Sequence, residues 1–258
     1  RNFYGILNVR LQESTEENGY KKTLSHGTIT HGYQFVSPEK QGIPTSYYGN
    51  DSGVGLAFEI LGKEENIRVG AIGLGAGTIS AYGKKGDYFK YYEINPAVIE
   101  LANNEFSYIK NSLADHEIAL GDARLTLDSE KSQNFDLLIL DAFSSDAIPT
   151  HLLTTEAMEI YKKNIKENGV IAFHISNRYL NLLPVVNSLA TLYDFESILI
   201  ASKGNEKTTF SATWVLVTNN KEILEDKTIL EIKEEINIEE INFKPWTDDY
   251  VNLFGVLK

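Results

Sequence analysis

VGAIGLGAGTISAYGKKGDYFKYYE, residues 69–93, is a strand, a glycine turn, a helix start and a second strand that ends in an acid. Val69 to Ile72 is a short apolar run, and Gly73-Leu74-Gly75-Ala76-Gly77 follows at once. Glycines let the backbone turn sharply and let a ligand come close to it. A helix starting at Thr78 would point its N-terminal N–H groups at that ligand. The second strand, from Tyr88, closes on Glu93, where nucleotide-binding α/β folds use an acid to accept the ribose hydroxyl hydrogens. A tight structural βα turn with a surface Glu is the bland alternative for the same stretch.

Beyond this stretch the chain alternates. The apolar patterning predicts strands at 67–72, 88–93, 116–120, 135–141, 169–175, 195–200 and 212–218. Helices are predicted at 78–84, 95–106, 122–128, 154–166 and 181–193. Strands alternating with helices make a mainly parallel sheet covered on both faces. Phe135 to Leu140 is nearly continuous apolar sequence, as a central buried strand requires. Upstream, residues 3–35 read as β-hairpins with a turn at Glu17-Asn18-Gly19. A Pro- and Gly-containing loop over 37–48 leads to a helix capped by Asp51 or Ser52 and running to Leu61. Residues 221–240 read as an exposed amphipathic helix plus loop.

Composition narrows the function classes. The 258 residues hold no cysteine, which excludes disulfides, thiolate metal sites and cysteine nucleophiles. The net charge of −12 argues against a nucleic-acid backbone as partner and is compatible with a cationic substrate. No apolar run approaches the roughly 20 residues of a membrane span, and no signal peptide is visible. Because it begins at Arg1, the chain reads as a fragment or processed product.

Ligands in such sheets sit beyond the C-terminal strand ends, where Glu93, Asp122, Asp141 and His174 fall. Asp122, in Gly121-Asp122-Ala123, is placed either to accept from an adenine amino group or to cap the next helix. Asp141 ends the most buried strand. An unpaired carboxylate there costs stability, which favours a functional role and predicts that its removal stabilises the fold. Asp146, in the following Pro-containing loop, either reacts or bonds its own backbone. No pair of histidines has metal-ligand spacing, so no metal is expected. His26 and His31 read as structural or as a pocket wall. Trp246-Thr247-Asp248-Asp249 either starts a last helix or folds over the pocket.

Together these motifs resemble the spermidine synthase (polyamine aminopropyltransferase) family. They are the glycine turn, Tyr92-Glu93-Ile94-Asn95-Pro96, Gly121-Asp122-Ala123 and the Asp141 loop. Leu24 to Gln34, Asp141 to Pro149, Phe173 to Tyr179 and Trp246 to Asp249 are similar to its spermidine synthase-like branch, often fused behind a membrane-spanning region. The resemblance implies an N-terminal β-hairpin domain over 1–48 and a Rossmann-like, class I methyltransferase-type catalytic domain over 49–258. It also implies an adenosyl sulfonium donor, either decarboxylated S-adenosylmethionine or S-adenosylmethionine, on Gly73, Gly75, Ala76, Gly77, Glu93, Asp122 and Ala123. Glu93 would take the ribose and Asp122 the adenine. Asp141, with Asp146, would act on an amine acceptor walled by Gln34, Tyr48, His174, Trp246, Asp248 and Asp249. The resemblance further implies a cytoplasmic location, tethered where a membrane domain precedes the chain, and a homodimer.

Two positions depart from that pattern. The family's glycine loop carries an Asp that holds the donor's ammonium, and here that place is Ala76. The acidic stretch that helps bind polyamine is replaced by Pro44-Thr45-Ser46-Tyr47-Tyr48-Gly49. Losing an acid beside the ammonium weakens discrimination between the two donors. Aminopropyl transfer to an amine is therefore the first expectation, methyl transfer the second, and a non-catalytic nucleoside-binding module the third.

Overall fold

A computed structural model describes residues 5–14, 19–27, 29–142, 149–205, 207–236 and 243–258. The chain opens with an antiparallel meander of β1 (Leu7–Glu13), β2 (Tyr20–His26) and β3 (Ile29–Phe35). Then α1 (Gly53–Leu61) starts where the Ser52 hydroxyl accepts the Gly55 N–H at 3.1 Å.

Next come β4 (Arg68–Ile72), a 3-10 turn over Thr78–Tyr82, β5 (Tyr88–Glu93), α2 (Pro96–Glu105), α3 (Tyr108–Asn111) and β6 (Asp115–Leu120). The chain continues through α4 (Ala123–Ser129), β7 (Phe135–Leu140), α5 (Thr155–Asn164), β8 (Ile165–His174) and α6 (Leu183–Leu192). It closes with β9 (Glu196–Ser202), β10 (Ala212–Thr218), α7 (Lys221–Leu224) and α8 (Lys227–Ile232).

The large sheet runs β6-β5-β4-β7-β8-β10-β9. Its first five strands are parallel neighbours, and β10 is antiparallel to both β8 and β9. The chain winds one way from β4 and then returns to β7 on its other side. The strand order therefore reverses between β4 and β7, which opens a crevice at their C-terminal ends. Alternation along β7 builds two cores. Leu137 and Ile139 face a layer with α1, while Leu138 and Leu140 face a layer with α5 and α6. Among the described residues, no helix is long and apolar enough to cross a membrane.

The structure corrects several expectations. The helix expected at 78–84 is a 3-10 turn entered through Gly77 in the left-handed region. Asp226 restarts the chain at 227 by accepting the Thr228 and Ile229 N–H groups, so the amphipathic segment is two short helices. No helix starts at Thr247 or Asp248. Thr247 and Tyr250 exchange backbone bonds in a tight turn instead. The tail then bonds the loop after β8, with Lys258 N–H donating to the Tyr179 carbonyl at 2.9 Å. The short α3 was not legible in the sequence pattern.

Candidate active site

A cavity of about 440 Å³ opens at the switch point between β4 and β7. Gly73 shows why its floor is glycine. It sits at φ +96°, and a Cβ there would lie 2.3 Å from the Asp141 carbonyl oxygen. Gly75 likewise approaches the His31 carbonyl of β3, 2.6 Å from where a Cβ would be. These glycines fit the loop against the chain's own backbone.

Glu93 ends β5 at the cavity wall. Its Oε2 accepts the Leu74 N–H at 3.1 Å and its Oε1 accepts the Asn95 N–H at 2.8 Å. Burial raises its pKa, and the backbone donors at Asn95, Leu74 and Ile94 only partly oppose this. An ionised carboxylate has about four acceptor positions, so both oxygens keep capacity for a diol.

Of the two roles considered for Asp122, the helix cap is formed. Its Oδ1 caps α4 by accepting the Leu125 N–H at 3.0 Å, and the residue also lines the cavity. Its Oδ2 lies 3.1 Å from His151 Nε2. His151, also on the wall, was missed because nothing local marks it; it reaches the site from the turn after Pro149.

Asp141 follows β7 and faces two cavities: the large one and a second of about 130 Å³. Its Oδ1 is 2.7 Å from His174 Nδ1, and Tyr48 donates its hydroxyl hydrogen to Oδ2. Burial alone would raise the Asp141 pKa. The charge and hydrogen bond of His174, the Tyr48 hydroxyl and nearby His31 outweigh burial and hold it below the usual carboxylate range. The expectation of an unpaired carboxylate is therefore corrected. Burial and the neighbouring Asp141 hold the Tyr48 phenol well above its ordinary value, so it stays a donor.

Gly73, Gly75, Glu93, Asp122, Ala123, Tyr48 and Asp141 share the large cavity, and His174 faces the smaller one. Ala76 and Gly77 do not line either. Ala76 is packed with Leu24 and Phe106 under the small sheet. Gln34 is also withdrawn: its amide donates to the Gln41 carbonyl and Ser107 Oγ, and its Oε1 accepts the Ser107 N–H. It ties β3 to the segment before α3. Trp246 is a core residue beside Phe243. Asp248 makes a bidentate pair with Arg124 at 2.7 and 2.6 Å and accepts from Thr154. Asp249 is exposed and off both cavity walls. Asp146 lies outside the described residues. Tyr47, absent from the expected set, stands on both walls.

A doubly wound sheet with this strand order, an acid closing the second strand and a crevice over a glycine loop define the Rossmann-like, methyltransferase-type fold. The N-terminal three-stranded sheet is the addition. No family model matches the chain. It is 31% identical over 140 residues to a polyamine aminopropyltransferase of Vibrio vulnificus (strain CMCP6); the match covers 52% of this chain and 42% of that protein. Less than half of that relative's length is thus spanned. In structure it is similar to a probable spermidine synthase from Corynebacterium glutamicum ATCC 13032, with TM-score 0.65, 13% identity and 96% and 98% of the two chains covered. It is also similar to spermidine synthase from Thermotoga maritima, with TM-score 0.57, 15% identity and coverage of 95% and 79%. At these identities the structural likeness is one of fold.

Proposed function

We propose that the protein transfers an aminopropyl group from decarboxylated S-adenosylmethionine to an amine, as a member of the spermidine synthase family. The observation that carries this reading is Asp141, a buried and charged carboxylate standing between two cavities. The larger cavity suits the nucleoside, with Glu93 for the ribose diol and Asp122 beside the adenine. The smaller suits the acceptor. Asp141 attracts the acceptor's ammonium and aims its nitrogen at the carbon attached to sulfur. The sulfonium itself activates that carbon, so the protein has to orient the nucleophile and free its lone pair.

Ala76 favours methyl transfer from S-adenosylmethionine as the second reading. It is apolar and buried away from the cavity, so the glycine loop offers no acid to the donor's ammonium. The donors should then bind within about tenfold of each other, a difference of roughly 1.4 kcal/mol. Incubation with each donor and a pool of amines, followed by mass spectrometry, tests the choice. Gain of one aminopropyl group with release of methylthioadenosine is expected. A methyl gain from S-adenosylmethionine alone would replace the first reading with the second.

A further inference from the structure

Asp141, His174 and Ser176 form a continuous hydrogen-bonded chain. Asp141 Oδ1 is 2.7 Å from His174 Nδ1, and His174 Nε2 is 2.8 Å from Ser176 Oγ. All three residues face the smaller cavity. Their carbonyl-side frame is the end of β8, where Thr213 N–H donates to Ser176 Oγ at 2.8 Å and fixes it. We propose that His174, acting through Ser176, is the base that takes the acceptor's proton, and that Asp141 orients the imidazole and holds the acceptor's charge. This rests on the alkyl-transfer reading above and names the proton route within it.

The direction of each bond follows from the donors and acceptors present. An ionised carboxylate only accepts, so Nδ1 carries the imidazole proton and donates to Asp141. Nε2 is then a lone pair, and the Ser176 hydroxyl donates to it. Ser176 Oγ has two lone pairs. Thr213 N–H takes one, which leaves the other for an N–H entering the cavity. This is the arrangement in which a serine hydroxyl passes a proton to a histidine held by an aspartate.

Asp141 is poorly suited to be the final acceptor. Both of its oxygens are already engaged, by His174 Nδ1 and the Tyr48 hydroxyl, whereas imidazole as a class binds a proton several hundredfold more tightly than an ordinary carboxylate, about 2 to 3 pK units. The surroundings of His174 also suit a developing cation. Its ring is clamped between Tyr47 and Trp214, each with its centroid 4.6 Å away, and aromatic faces attract cations. Among the described residues, Tyr47, Tyr48 and His31 are the other titratable groups that interact with the Asp141 carboxylate.

The step balances. The acceptor ammonium gives one proton to Ser176 Oγ while the Ser176 hydroxyl proton passes to His174 Nε2. The freed lone pair forms the N–C bond as the C–S bond breaks, and that electron pair stays on sulfur. The product leaves as a secondary ammonium, and His174 later returns its proton to water.

Two measurements test this. On the full chain with ¹⁵N-labelled histidine, the His174 signal, assigned by its loss in His174→Gln, should show Nδ1 protonated and Nε2 bare at neutral pH. The opposite tautomer overturns the relay, whether or not the protein transfers an aminopropyl group. In turnover, His174→Gln should lose about 100- to 10,000-fold in kcat and the rising limb of the wild-type pH profile. Its methylthioadenosine affinity should stay within about threefold, since the group acts only in the reacting complex. Ser176→Ala should lose at least about tenfold, with Ser176→Thr recovering most of it, because threonine restores the hydroxyl. Wild-type turnover in His174→Gln, or in Ser176→Ala, overturns the relay. A wild-type protein that alkylates no amine overturns the activity reading instead, and the tautomer still decides the relay.

Discussion

Glu93 and Asp141 have different proposed roles, and substitutions separate them. Glu93 presents a buried carboxylate to the large cavity, so a bidentate contact to a diol should be worth about 1.5–3 kcal/mol. Glu93→Ala should weaken methylthioadenosine and S-adenosylhomocysteine alike, by roughly 10- to 150-fold on that energy. Calorimetry showing both unchanged would remove the ribose assignment. For Asp141, the bonds from His174 and Tyr48 reverse the sequence-based expectation on stability. Asn offers one acceptor oxygen where the carboxylate offers two, so the Tyr48 hydroxyl hydrogen loses its acceptor, and Asp141→Asn should cost about 1–3 kcal/mol. The folded pKa of Asp141 is depressed. Its contribution is therefore complete above the unfolded value near 4 and is lost as pH falls through the folded value. Melting curves of wild type and Asp141→Asn should differ at pH 7 and converge in acid. A variant that melts higher at pH 7 would contradict the pairing.

Position was legible where an acid closes an apolar run. Glu93 and Asp141 end apolar runs, so their sequence neighbours place them at the sheet edge. The sequence could not place Tyr48 against Asp141, 93 residues away, nor tell that Gln34 would bond Ser107. Those partners are set by packing between distant segments, which leaves no periodic trace.

Elements were read from periodicity, and their ends from capping. The strands around β4, β5, β7 and β10 lie within a residue or two of expectation because their apolar runs are long and unbroken. The C-terminal segment defeated that approach. Thr247 and Asp248 have the side chains of a helix start, yet Asp248 is drawn onto Arg124 of α4 and Thr154 before α5. Arg124 holds the Asp248 carboxyl below its usual range. Since Asp248 is largely exposed, Asp248→Ala should cost only about 1 kcal/mol or less. Nucleoside affinity should not change. A large loss of affinity in calorimetry would return Asp248 to the binding site. The glycine turn makes the opposite prediction. Gly73→Ala forces a Cβ toward the Asp141 carbonyl at positive φ and should cost several kcal/mol. Thermal melts of the two variants side by side check the contrast.

Across the whole molecule, the doubly wound order collects acids from the ends of successive strands at one edge. The small sheet closes that edge from the N-terminal side. His31 of β3 accepts the Ala76 N–H at 3.3 Å, and His26 and His31 complete the cavity wall. Alternation in the sequence was enough to predict the layers, because each apolar strand needs cover on both faces. Which donor and which acceptor fit was less legible, since Ala76 is buried away from the cavity and offers no charged group there. The role proposed for Asp141 is on the acceptor's nitrogen and not on the donor. Its most direct test is a paired measurement on Asp141→Asn of methylthioadenosine affinity by calorimetry and product rate by mass spectrometry. Turnover should fall about 100- to 10,000-fold while affinity changes little. Full turnover, or a loss of nucleoside affinity as large as the loss of rate, would contradict the account.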